Sequence, residues 1–290
     1  MLAIKLLTAQ NMKKKENKIL SPKLDVVFQA LFGEVGSEGI TKKFIESIMD
    51  YKIETITLDK NPILRRDFKD EKLGVLDIIA ELNEKETCNI EMQFVEKDNI
   101  IERVLYYWSK LYSKGIKAGE DYEILKKTIV ILITDFEIEE IKEEKCHTKW
   151  RIIEDKERKK VLTEKLELHI IQLPKKGKME ESELLDWLEF LEEPESERVI
   201  EKMKENEELR EAKEKLDTLS ADKRMQRIAE LRQKAIMDEK ATYRLGVKRG
   251  IEQEKKEIVK KMLMQNVELK VIKTCTGLSI EELEKIKKEI

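Results

Sequence analysis

The sequence predicts an α/β protein: a mixed sheet flanked by helices, then a long and mostly helical C-terminal region. Three observations carry this. Residues 74–94 (GVLDIIAELNEKETCNIEMQF) hold two alternating apolar runs around the polar tetrad Asn83-Glu84-Lys85-Glu86, the pattern of a β-hairpin. Residues 127–136 (KTIVILITDF) form a continuous β-branched apolar run, as expected of a strand buried on both faces. From Met179 the composition turns to Glu, Lys, Arg and Ala with sparse apolar positions, which reads as long solvated helices.

Composition narrows the function classes. Charged residues make up 41% of the 290 and aromatics 6%, a balance that favours helices over a wide β-core. With 58 basic and 61 acidic side chains the net charge is −3, so there is no overall positive field. Any nucleic-acid contact must come from a local basic face. Cys88, Cys146 and Cys275 are far apart and lack CxxC spacing. They read as reduced thiols of a cytoplasmic protein without a zinc site. Only His147 and His169 are present, which disfavours a histidine-rich metal site or a Ser-His-Asp triad. No apolar run approaches the ~18 residues of a membrane span. The first eleven residues read either as a mis-assigned leader ahead of Met12 or as a short frayed arm.

In chain order, Ser21-Pro22 opens a helix through Gly33, with Leu24, Val27, Phe28 and Leu31 at helical spacing. Asp25 falls in its first turn, where a carboxylate also suits the helix dipole. GITKKFIESIMD (39–50) is a second helix, and residues 51–59 alternate as a strand. A polar connection with Pro62 and Arg65-Arg66 leads to the hairpin. From Asn99 to Gly119 the period becomes helical. Arg103, Tyr107, Lys110, Lys114 and Lys117 form a basic stripe with one aromatic, either a solvated face or a phosphate-facing one. This helix between two strands suggests a βαβ-type crossover. Residues 150–153 read as a short edge strand. Residues 161–173 read as another strand with His169 half-buried. ESELLDWLEFLEEP (181–194) is a helix. The end reads as a helix to about Gln265, a short helix, a turn at Thr276-Gly277-Leu278, and a last helix opened by the capping box Ser279-x-x-Glu282. This helix-turn-helix-like tail reads as a self-associating bundle in preference to a DNA reader.

The hairpin carries the chemistry. Antiparallel pairing about the tetrad sets Asp77 roughly opposite Glu91, and Gln93 shares the face of Glu91, whereas Leu76 belongs to the opposite face. Like charges across a strand pair are destabilising unless offset. A divalent cation would offset them, taking oxygens of Asp77 and Glu91 and the Met92 carbonyl. Such a cation lowers the pKa of water and offsets phosphoryl charge. D-x13-E-x-Q alone is weak in so charged a chain; its context of helix, hairpin, basic helix and buried strand strengthens it.

With those residues in place, the chain resembles the PD-(D/E)xK nuclease superfamily, and within it the Rpn/YhgA-like recombination-promoting nucleases, often described as PD-(D/E)xK family transposases. The carrying segments are SPKLDVVFQALFG (21–33), GVLDIIAELNEKETCNIEMQF (74–94), ERVLYYWSKLYSKGIKAGEDY (102–122) and TGLSIEELEKI (276–286). The resemblance implies a restriction-endonuclease-like αβββαβ core and metal-dependent cleavage of DNA phosphodiesters. It implies Asp77, Glu91 and Gln93 as the catalytic set. By the same resemblance Asp25 matches the acidic residue of the first helix that can join Asp77 and Glu91 at a metal ion, magnesium in the first instance with manganese or calcium as alternatives. Arg103 and Tyr107 match a patterned helix that holds phosphate or supports the site. Gln93 stands where the superfamily usually has Lys. A neutral amide can hydrogen-bond an attacking water but cannot stabilise hydroxide by charge.

The expectation is therefore a metal-dependent DNA endonuclease, with DNA contacts at Arg103, Tyr107, Lys110, Lys114 and Lys117. Its expected parts are a leader or arm at 1–18, a nuclease domain at 19–178, a charged helical arm at 179–250 and the tail at 251–290. Its expected partners are DNA and a second copy bound through the C-terminal helices, with no membrane. Two rival classes remain: a catalytically silent DNA-binding or recombination accessory protein, and an interaction protein acting through its helical tail. Strand transfer is discounted, because nothing beyond the weak helix-turn-helix pattern marks an end-binding element.

Overall fold

The computed structural model describes residues 19–49, 51–59, 63–64, 74–75, 77–96 and 99–288. The expectations on Met12, Pro62, Arg65-Arg66 and Leu76 lie outside the described residues. The first helix begins as α1 (Asp25–Phe28) and widens into a π-helical turn, Gln29–Gly33. Ser21 is not its cap; the N-cap is Leu24, and Ser21 closes a turn through its carbonyl, accepting from Leu24 N–H at 3.1 Å. At Gly33 a side chain would press on Ile78 Cγ1 at 3.2 Å, so glycine lets this end lie on the sheet. α2 (Glu38–Ile48) follows, with Ile40, Phe44, Ile45 and Ile48 on its buried face.

A six-stranded sheet takes the order β1-β4-β5-β6-β8-β7. β1 is Ile56–Leu58, shorter than the alternation suggests. β2 (Ile63–Leu64) and β3 (Gly74–Val75) pair separately as a two-stranded ribbon. The hairpin is β4 (Ile78–Leu82) and β5 (Glu86–Gln93), antiparallel as expected. Its turn holds Asn83 and Glu84 at φ 51° and 58°, the left-handed pair that matches strand twist. Asn83 Oδ1 accepts the Glu54 and Thr55 N–H groups at 2.8 and 3.1 Å, which ties the turn to the entry of β1. α3 (Ile100–Ser113) then crosses over to β6 (Lys127–Thr134), which pairs parallel with β5. β8 (Leu166–Gln172) is parallel to β6, and the short edge strand β7 (His147–Trp150) closes the far side.

The sheet has two unlike faces. On one, α3 packs Ile100 and Val104 against Val130, Leu132, Leu168 and Ile170. On the other lie α1, α2 and α4 (Glu183–Glu192). Phe28, Phe32, Phe44 and Trp187 meet there with ring centroids 4.9–6.5 Å apart, and all are fully buried. α5 (Glu197–Lys202) and α6 (Glu207–Ala221) continue this layer, α6 packing on α2 through buried Leu209, Ala212 and Leu216. The expected break between a domain ending at 178 and an arm from 179 therefore meets no break in packing. The chain divides into two compact units between Gln233 and Lys234, within the long helix α7 (Lys223–Met264). The second unit closes α7 against α8 (Leu269–Thr276) and α9 (Ile280–Lys288) around Val259, Ile272, Leu283 and Ile286. The capping box forms in both directions, Ser279 N–H to Glu282 at 2.8 Å and Glu282 N–H to Ser279 Oγ at 3.2 Å. Among the described residues no helix is long and apolar enough to cross a membrane.

His169 differs from its half-buried expectation, being 1% exposed. Its ring bridges Glu167 Oε1 at 2.9 Å and His147 Nε2 at 2.8 Å. Lys127 and Lys149 approach the same buried carboxylate at 3.3 and 3.2 Å. Burial alone would raise the Glu167 carboxyl, but the His169 bond and the two ammonium groups outweigh it and hold it at about 2.

The aromatic cluster sets an expected stability loss. Phe44→Ala removes a ring that touches Phe28, Phe32 and Trp187, and such truncations cost about 3–5 kcal/mol. Urea unfolding should show the midpoint falling accordingly; a loss below about 1 kcal/mol would mean that this layer is not a packed core.

Candidate active site

β5 places Asn89, Glu91 and Gln93 on the face that α3 covers, because alternate strand residues share a face. The register pairs Ile78 with Ile90, so Asp77, one position before β4, stands opposite Glu91. Asp77 sits in a bend and turns its Oδ2 back onto the Met92 N–H at 2.8 Å. This bond fixes the aspartate against the strand that carries the glutamate. Asp77 thus meets Met92 through the N–H of that residue, whereas the expected ligand is its carbonyl.

Glu91 is 4% exposed. Its two oxygens face two amides, Asn89 Nδ2 at 3.2 Å and Gln93 Nε2 at 3.4 Å. Gln93 in turn accepts from Arg103 Nη1 at 3.4 Å, and the Arg103 guanidinium lies over the Tyr107 ring at 5.4 Å. Tyr107 packs against Ile79 and Leu111. The result is a chain Asn89–Glu91–Gln93–Arg103–Tyr107 running from the strand onto the helix. Asn89 was not singled out from the sequence, although its even spacing from Glu91 and Gln93 was the available signal. Its Oδ1 is buried without a hydrogen-bond partner.

The charge balance here is unfavourable as it stands. Burial pushes the Glu91 carboxyl well up, and the Asp77 charge pushes it further, against the Asn89 bond and Arg103. Burial likewise raises Asp77, partly offset by the Met92 N–H, and Asp25 raises it again; Arg103 and Arg232 pull it down. Desolvated carboxyls raised in this way make the pair a candidate functional site. The donor set suits a hard divalent cation: oxygens of Asp77 and Glu91 and the unpartnered Asn89 Oδ1, in a place short of positive charge. Asp25 is within electrostatic reach of Asp77 but is otherwise engaged. Its Oδ1 accepts the Val26 N–H at 2.8 Å, and its Oδ2 accepts Arg232 Nε at 2.6 Å. Among the described residues no three Asp, Glu, His or Cys side chains are grouped closely enough to hold a metal ion.

The basic stripe does not stay together. Arg103 and Tyr107 belong to the carboxylate site. Lys110 lies in the last turn of α3, Lys114 is its exposed C-cap, and Lys117 falls beyond the helix. The helical phase that aligned Lys117 with Arg103 therefore ends before it. Lys114 instead lines a groove with Lys126, Asp59 and Glu81 at the β1–β4 side.

A family model described as PD-(D/E)XK nuclease family transposase matches residues 22–245. No curated protein and no solved structure matches the chain.

The raised carboxyls predict an unusual pH dependence. Asp77 and Glu91 hold their protons more tightly in the folded chain than unfolded, where ordinary values of 3.8 and 4.5 apply. Ionising them therefore costs folding free energy, and their contribution to stability falls as pH rises from about 4 to about 8. In chelator, urea midpoints measured across that range should be flatter for Glu91→Gln than for the parent chain. Superimposable profiles would show that the pair is not desolvated.

Proposed function

Because the chain belongs to the PD-(D/E)XK nuclease family transposases, we propose that it is a divalent-metal-dependent endonuclease that hydrolyses backbone phosphodiesters of DNA. The observation that carries this reading is the pair of buried Glu91 and half-buried Asp77, set opposite each other with both carboxyls raised despite the Met92 N–H and Arg103. Asp77 and Glu91 would hold the cation, magnesium in the first instance and manganese or calcium otherwise. When bound, the ion supplies a Lewis acid that acidifies water and offsets phosphoryl charge.

The chain's own residues supply the rest. Met92 N–H holds Asp77 in place, and Asn89 orients Glu91. Gln93 offers an amide beside Glu91 that can orient a water by hydrogen bonding. It lacks the charge of lysine, but Arg103 reaches its oxygen and lies in the field of both carboxylates. Arg103 thus provides the cation that position 93 does not, and faces a phosphate arriving at the site. Exposed Lys114 and Lys117, with Lys110, are the bets for more distant strand contacts, which add affinity without sequence information. The free cysteines, of which Cys88 and Cys146 are buried, support a reading as a cytoplasmic protein.

Self-association belongs to the second unit. There Tyr243, Val247 and Ile251 of α7 face Leu278 and Ile286 across a groove of about 830 Å³. Ile251 is 51% exposed, and exposed apolar surface of this kind marks contacts with other chains. Val247→Glu with Ile251→Glu is expected to yield a monomer by light scattering; an unchanged mass would remove this groove as the interface.

The substitution of Gln93 for lysine favours one second reading, a silent DNA-binding accessory protein. A supercoiled-plasmid assay in magnesium, manganese and calcium separates the two. For the nuclease, Asp77→Ala and Glu91→Ala each lower nicking at least about 100-fold, a typical loss for removing one preorganised catalytic group, with circular dichroism unchanged. Wild-type rates in both variants would sink the site assignment. Salt-dependent binding with no cutting in any metal would establish the silent alternative.

A further inference from the structure

Arg232 reaches the acidic site from the helix that the sequence reads as an arm. Its placement follows from helical phase. Met225 and Ala229 of α7 are buried at 9% and 4% exposure, and Arg232 comes at i+7 and i+3 from them, on the same inward stripe. The start of α7 is fixed by Gln226 Nε2 on the Ser220 carbonyl at 2.6 Å, and Leu20 N–H binds Ser220 Oγ at 3.0 Å. A position where an apolar residue would continue the stripe holds a guanidinium instead.

That guanidinium makes a fork on one oxygen. Arg232 Nε and Nη2 meet Asp25 Oδ2 at 2.6 and 2.5 Å. The other oxygen of Asp25 is taken by Val26 N–H. Each oxygen of Asp25 thus already has a partner, and one of the two partners is a cation. The pair is open to exchange: its side chains are 41% and 26% exposed, and ion pairs so exposed are weak. Arg232 is therefore placed to shield Asp25 until something of higher charge competes.

We propose that Arg232 is a built-in counter-ion at Asp25 that a divalent cation must displace, and that it thereby sets the metal affinity of the Asp77–Glu91 site. This rests on the reading of that site as a metal site. Two positive charges arriving beside Asp25 repel the guanidinium and attract the same oxygen. Release of Arg232 allows Asp25 to turn towards Asp77 as a third carboxylate. The residue acts through Asp25 and so is a positioning residue, matched to this site by the α7 phase.

The test is calorimetric titration of the full chain with manganese at fixed ionic strength, folding being checked by circular dichroism. Arg232→Gln should bind manganese about tenfold tighter, the scale expected from removing one nearby positive charge at partial exposure. Arg232→Lys, which keeps the charge, should stay near the parent value. Adding Arg232→Gln to Asp25→Asn should give no further gain, since the pair is already broken. Rising salt should narrow the gap between Arg232→Gln and the parent. Equal affinity of Arg232→Gln and the parent, with binding lost in Asp77→Asn, overturns the counter-ion and leaves the metal site standing. Binding that survives Asp77→Asn, or no binding by any variant, overturns the metal site and the counter-ion together.

Discussion

The constraint on which this molecule turns is the burial of Glu91 opposite Asp77. Two carboxylates on adjacent strands repel, and burial removes the water that would screen them. Neighbouring elements each respond to that charge. β5 supplies two amides from its own face, the β5 backbone supplies the Met92 N–H, α3 supplies Arg103, and α7 supplies Arg232. These contributions leave both carboxyls still raised. Local frustration that survives so many partial remedies is expected at sites other than a purely structural core.

The same sheet buries a second carboxylate with the opposite result. Glu167 lies on the other face, and His169, Lys127 and Lys149 satisfy it so fully that its carboxyl is held down at about 2. Both clusters look alike in sequence, as charged residues within apolar strands. Burial is common to them, but compensation is not. The Glu167 network is a closed structural one, whereas the Glu91 site has a buried amide oxygen without a partner and a glutamine where a cation would be ordinary. The contrast within one sheet separates a polar cluster whose charge is balanced from one whose carboxyls stay raised.

The second unit is built by different physics. Its small core of Val259, Ile272, Leu283 and Ile286 depends on the capping box at Ser279 and on the left-handed Gly277 that ends α8. The last helix opens on Glu281 and Glu282, which favour the helix dipole and disfavour a phosphate at the same end.

The sequence by itself determined the hairpin, the crossover from β5 to β6 and the facing of Asp77 with Glu91, because strand alternation and the polar turn fix register locally. It also determined the final capping box, a matter of four residues. It carried the basic stripe on to Lys117, past the helix end at Ser113, since periodicity cannot see where a helix ends. Only the tertiary structure brought Arg232 to Asp25, 207 residues away. Only it separated Arg103 from the surface lysines and showed that one buried carboxylate is compensated and the other is not. Those outcomes depend on which side chains share a desolvated volume, and pairwise proximity across the chain is not written in any local pattern.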